Sequence, residues 1–156
     1  MTQASQTDLP AILELQRLAF HSEGVLVGDP TIPPLTQTIE QIEAEFELRL
    51  FLKLEESGNL VASVRGHRDT LGWTHIGRLM VHPLRQGNGF GSRLMREIER
   101  ELSPCQGFKI FTSAASMENI RLYEHLGYRI FSREKLGALE MVFLTKEGND
   151  HESVDD

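Results

Sequence analysis

The chain has 156 residues, 40% of them apolar and 25% charged, which suits one soluble globular domain. There is no run of eighteen apolar residues to span a bilayer, and the start of the chain lacks the basic-then-apolar pattern of a signal peptide, so a cytoplasmic protein without a membrane partner is expected. Of the net charge of −7, five negatives come from Glu147, Asp150, Glu152, Asp155 and Asp156, which leaves a nearly balanced body over 1–146 and an acidic tail over 147–156 expected to be disordered.

No basic stripe is present, which argues against nucleic-acid binding. The single cysteine, Cys105, rules out an internal disulfide and reads as an incidental loop thiol.

Asp8 is a good N-cap for a helix carrying Ile12, Leu15 and Ala19 on one face to about Phe20, and a short strand can precede it. His21 to Gln37 contains Gly24, Gly28, Pro30, Pro33 and Pro34 and reads as a loop. Thr38 and Gln41 form a capping box ahead of a second short helix with Ile39, Ile42 and Phe46. The period then changes to two: Leu48 to Glu55 reads as a strand, Ser57-Gly58-Asn59 as a turn, Leu60 to His67 as a second strand and Trp73 to Val81 as a third. Phe90, Leu94, Ile98 and Leu102 recur every four residues in an amphipathic helix stopped at Ser103-Pro104. A strand at Phe108 to Thr112, a helix from Met117 to Leu126 stopped by Gly127, and strands at Tyr128 to Arg133 and Leu139 to Lys146 complete a mixed α/β order.

Between the third strand and the amphipathic helix lies Gln86-Gly87-Asn88-Gly89-Phe90-Gly91-Ser92. Glycines let a backbone approach a ligand closely, and a helix N-terminus offers free N–H groups and a positive dipole end to an anion. A Walker A loop would need Gly-Lys-Ser/Thr, and a dinucleotide fingerprint would need a glycine at Ser92 or Leu94; neither is present.

What remains is Gln86-x-x-Gly89-x-Gly91 behind a Leu-Met-Val-His-Pro strand end, with Asn119-Ile120-Arg121-Leu122-Tyr123-Glu124-His125-Leu126-Gly127-Tyr128 downstream. In these two patches the chain resembles the GCN5-related N-acetyltransferase (GNAT) superfamily. The resemblance implies the mixed α/β GNAT fold, a mostly antiparallel sheet of six or seven strands with about four helices, and an enzyme that moves an acetyl group from acetyl-CoA to a primary amine by direct attack. It implies that Gln86, Gly87, Asn88, Gly89, Phe90, Gly91 and Ser92 receive the diphosphate, and that Leu79, Met80 and Val81 pair with the pantetheine arm. Tyr123 matches the group beside the departing sulfur, and Ser116 and Asn119 stand at the start of the later helix as further cofactor contacts. Arg85 has two readings, a phosphate contact and a solvated loop arginine.

The strand positions where relatives often carry a glutamate hold none here, which leaves His75 as the base candidate. A weak base favours an amine of low pKa: deprotonating a lysine at pH 7 costs about 4.6 kcal/mol, an α-amine only about 1. The acceptor, a small-molecule or peptide amine, is expected between the His21 to Gln37 loop and the Arg133 to Ala138 turn. The histidines form no ligand cluster, so no metal is expected. A homodimer through edge strands or the last hairpin is compatible with the residues. Two other readings stay open: a non-catalytic acyl-CoA-binding module of the same fold, and a regulatory domain using the turn for a nucleotide phosphate.

Overall fold

The computed structural model describes residues 1–137 and 139–148. Its strands are β1 (Thr2–Gln3), β2 (Leu50–Glu56), β3 (Asn59–Arg68), β4 (Trp73–Val81), β5 (Gly107–Ser113), β6 (Arg129–Leu136) and β7 (Leu139–Glu147). They form one sheet in the order β1-β2-β3-β4-β5-β7-β6, antiparallel except where β4 meets β5. The helices are α1 (Leu9–Val27), α2 (Pro33–Thr36), α3 (Ile39–Phe46), α4 (Phe90–Glu101) and α5 (Met117–His125). This is the expected mixed α/β architecture, with five α-helices among the described residues.

Both faces of the sheet are covered, so β2 buries residues of both parities. Leu52 and Leu54 join Val64, Ile76, Leu79, Leu94 and Ile98 in the core beneath α4, while Phe51 and Met80 join Ile12, Leu15 and Ile42 beneath α1 and α3. The capping box at α3 forms as expected: Gln41 N–H donates to Thr38 Oγ1 at 3.2 Å and Thr38 N–H to Gln41 Oε1 at 2.9 Å.

Several boundaries differ from the sequence reading, among them β6, which runs to Leu136 and not to Arg133, and the short α2 inside the expected loop. The segment after Phe20 is not a loop: α1 continues to Val27 and ends at Gly28 in the left-handed region (φ 69°). Gly24 is a packing glycine rather than a breaker, because a Cβ there would lie 2.6 Å from Leu35 Cδ1. At the other end β7 runs through Glu147, whose partner is Gly107, so the body reaches past the expected start of the tail. Residues 149–156, where the rest of that tail falls, lie outside the described residues, as does residue 138 of the last turn.

One feature of the sheet makes room for a ligand. β4 and β5 pair in parallel only from Trp73↔Gly107 to Ile76↔Ile110. Beyond that, β5 continues against β7 alone, and Gly77 to Val81 run on without a β5 partner. A strand edge left in this way presents spare backbone N–H and C=O groups.

Candidate active site

A cavity of about 590 Å³ opens at this splay. Leu79, Met80 and Val81 line it from β4, Gln86, Gly87, Gly89, Phe90, Gly91 and Ser92 from the glycine turn and the start of α4, and Ser116, Asn119 and Leu122 from α5. Ala19, Phe20, Ser22, Glu23 and Leu26 close it from α1. The turn is built for backbone approach: Gly87 (φ 82°) and Gly89 (φ 77°) are left-handed, and no atom lies within 4 Å of a Cβ placed on either. Gly91 is constrained by packing instead, with Leu122 Cδ2 at 3.0 Å from its Cβ position.

Tyr123, expected beside the departing sulfur, does not line this cavity, and of the other residues expected at the cofactor every one does except Asn88. Its amide turns back to donate to the carbonyls of Arg85 (2.9 Å) and Gln86 (3.4 Å), so Asn88 shapes the turn from outside. Arg85 lines the cavity mouth and is ion-paired with Glu56. Asn119 Nδ2 lies 3.5 Å from the Leu79 carbonyl, which ties α5 to the splayed strand.

Ser116 is the N-cap of α5, but its hydroxyl does not cap the helix. It donates to the carboxylate of Glu23 on α1. Burial raises the pKa of Glu23 above the ordinary carboxylate value, against the opposing pull of the Ser116 hydrogen bond and the Arg78 charge. The site therefore contains a carboxylate that the sequence reading missed. Helical spacing was the available signal: Ser22, Glu23 and Leu26 extend the stripe of Ile12, Leu15 and Ala19 at steps of three and four.

Tyr123 is buried on α5 beside Leu122, its ring 6.0 Å from that of Tyr128. Burial, with a further contribution from the Glu23 charge, raises its pKa well above that of a free phenol, so the hydroxyl keeps its proton. Such a group donates a hydrogen bond well and ionises poorly.

His75 is not part of this arrangement. It lies near the opposite end of β4 from the glycine turn, where its Nε2 is 2.8 Å from Asp69 Oδ2 and its ring stacks on His67 at 5.0 Å. A four-residue step back from Leu79 along a strand covers roughly 13 Å, at ~3.3 Å per residue. The expectation of His75 as base is corrected on this geometry: its ring is committed to Asp69 and His67, outside the cavity.

The model of the acetyltransferase (GNAT) family matches residues 9–128, from the start of α1 past the whole cavity lining. The chain belongs to the GNAT acetyltransferase family. Solved structures agree in fold with this GNAT chain. The ribosomal-protein-S18-alanine N-acetyltransferase of Escherichia coli superimposes with a TM-score of 0.77 at 18% identity, over 94% of this chain and 91% of that one. A ribosomal-protein-alanine N-acetyltransferase from Brucella melitensis gives 0.71 at 19% identity, over 93% and 97%. A Salmonella typhimurium protein solved with its cofactor acetyl-CoA gives 0.72 at 20% identity, over 93% and 91%. No curated protein matches the chain. No helix among the described residues is long and apolar enough to cross a membrane, and no three His, Cys, Asp or Glu side chains among them could hold a metal ion.

Proposed function

We propose that this chain is an N-acetyltransferase that moves the acetyl group of acetyl-CoA to a primary amine by direct attack, with Glu23 as the base. The observation that carries this is the single cavity joining the open glycine turn to the Glu23 carboxylate. The residues fit the cosubstrate: left-handed glycines and the N-terminus of α4 suit a diphosphate, and the run Gly77 to Val81, left without a β5 partner, suits an extended amide-bearing arm.

Glu23 takes a proton from the acceptor's ammonium group before the attack, directly or through one water, and its raised pKa brings it closer to neutrality, where a general base works best. The lone pair of the neutral amine forms the new C–N bond, the C–S bond breaks with its electron pair leaving on sulfur, and the second proton, lost from the now cationic nitrogen, passes to the departing thiolate or to water. A backbone N–H at Met80 or Val81 steadies the negative charge that develops on the carbonyl oxygen. Tyr123, held protonated, donates a hydrogen bond to the departing sulfur; with a pKa raised above that of a free phenol it stabilises the thiolate without surrendering the proton outright. Ser116 holds the Glu23 carboxylate in orientation.

Following free thiol from acetyl-CoA over a panel of amines tests this reading. Amine-dependent release supports it. Saturable acetyl-CoA binding without release on any amine favours a non-catalytic module, and tighter binding of ATP or NAD than of CoA removes the cosubstrate assignment.

A further inference from the structure

The cavity floor ends at Leu79 and Met80, and the next residues back along β4 are Arg78 and Gly77. The ladder with β3 slips at this point: Ser63 pairs with Met80 but Arg65 with Gly77, so β4 carries one extra residue. Arg78 sits in that bulge with a left-handed φ of 51°. A non-glycine residue in that region is strained, and bulges beside active sites commonly re-aim a side chain. Across the ladder from Arg65, Gly77 leaves open space, with no atom within 4 Å of its Cβ position.

Two arginines at this point of the ladder, close enough for their charges to act on each other, have a buried nitrogen with no partner: Arg65 Nη1 and Arg78 Nε. Arg65 is only 1% exposed and otherwise fully engaged, through Nε to Glu45 Oε2 at 3.1 Å and through Nη2 to Gln16 Oε1 and Gln37 Oε1, both at 2.9 Å. A buried guanidinium N–H left unpaired loses its hydration with nothing in return.

The charges are also unbalanced. Glu45 is shared between Arg65 and Arg49, the latter at 3.5 Å, and Glu23 is held by Ser116. Burial lowers the pKa of Arg65 to about 10 and also lowers that of Arg78, yet Arg65 remains a cation at neutral pH. Three arginines, Arg49, Arg65 and Arg78, thus face two carboxylates, Glu45 and Glu23, which leaves one positive charge in excess.

Resting on the acetyltransferase reading above, we infer that the acceptor carries a carboxylate close to its amine, received over Gly77 by Arg78 and Arg65. The acceptor class is then a free amino acid, not a peptide amine. Arg78 lies two residues from Met80, roughly 6–7 Å along the strand at ~3.3 Å per residue, which suits an amine and a carboxylate separated by a few bonds. Guanidinium forks bind carboxylates bidentately, and a monoanion satisfies both unpaired arginine nitrogens and the excess charge together. A lysine side chain or a protein N-terminus brings no such group.

Thiol release on the standard amino acids and on their carboxamides tests this, with wild type and Arg78→Asn. Asparagine tolerates the left-handed backbone, so the bulge survives while the cation is lost. The expected result is a KM at least about tenfold lower for the preferred acid than for its amide. Arg78→Asn then removes that preference without changing the KM for acetyl-CoA. Equal KM values for acid and amide in the wild type, or equal losses on both in the variant, overturn the inference while leaving N-acetyl transfer standing. If no amine releases thiol, the activity reading fails, and calorimetry of the N-acetyl amino acids on the CoA complex decides the site alone. Saturable binding weakened by Arg78→Asn supports the site; no binding, or binding indifferent to the substitution, overturns it.

Discussion

The hydroxyl of Ser116 donates to the carboxylate of Glu23, linking the start of α5 to the last turns of α1 across 93 residues of sequence. Both residues line the cavity, so the contact puts an acid of raised pKa in the same cavity as the glycine turn. Burying that acid carries a stability cost at neutral pH.

The sign of that cost follows from the direction of the shift. Burial raises the folded-state pKa of Glu23 above its ordinary 4.5, so the folded protein holds this proton more tightly than the unfolded chain. Stability from this group is full below 4.5 and is lost as pH rises through the folded value. Glu23→Gln is therefore expected to melt at a higher temperature than wild type at pH 7 to 8, with the gap closing below pH 4.5. Thermal melts across that range check this, and a variant less stable than wild type at pH 7 contradicts it.

Asp69 has the opposite sign. The His75 hydrogen bond, then the backbone N–H groups of Trp73 and Leu71, lower its pKa from 3.8 to about 2. Its contribution is present above 3.8 and is lost as pH falls toward 2. Asp69→Asn is expected to be less stable than wild type at pH 5 to 7 and to converge with it near pH 2 in denaturant titrations. The same pair sets the expectation for His75: His75→Gln keeps the shape of the pH–rate profile, because its ring serves the β3–β4 turn and not the cavity.

Gly89 caps α4 with φ 77° and open space at its Cβ position, so Gly89→Ala meets strain but no clash. The expected loss of stability is about 1 kcal/mol, with the KM for acetyl-CoA rising at least about tenfold as the backbone N–H groups shift. Denaturant melts and steady-state kinetics separate the two effects.

Leu94 is fully buried where α4 lies on the sheet. Leu94→Ala is expected to cost about 2–5 kcal/mol, measured by urea unfolding. A loss below about 1 kcal/mol would mean that α4 packs less tightly than the structure shows.

Much of this arrangement is legible in the residues. Alternation in β2, β3 and β4 and the four-residue repeat of Phe90, Leu94 and Ile98 are local signals of period, and the glycine turn between them names its own chemistry. What was not legible depends on contacts distant in sequence. Gly24 and Gly28 look alike as breakers, yet one admits Leu35 inside a continuing helix and the other ends it. Misreading Gly24 hid Glu23 in an assumed loop. With no glutamate on the strands, His75 is what the residues offer as a base, and strand spacing alone does not say which end of β4 faces the cavity. The bulge at Arg78 left no mark either, because a register slip is a relation between β3 and β4 and not a property of either strand.

The most direct measurement is the pH dependence of amine-stimulated thiol release from acetyl-CoA by wild type and Glu23→Gln. The wild type is expected to lose activity on the acid side of its profile with an apparent pKa above the ordinary carboxylate value, and the variant to fall at least about a hundredfold and lose that limb. A variant that retains wild-type rate and an unchanged acid limb would contradict Glu23 as the base.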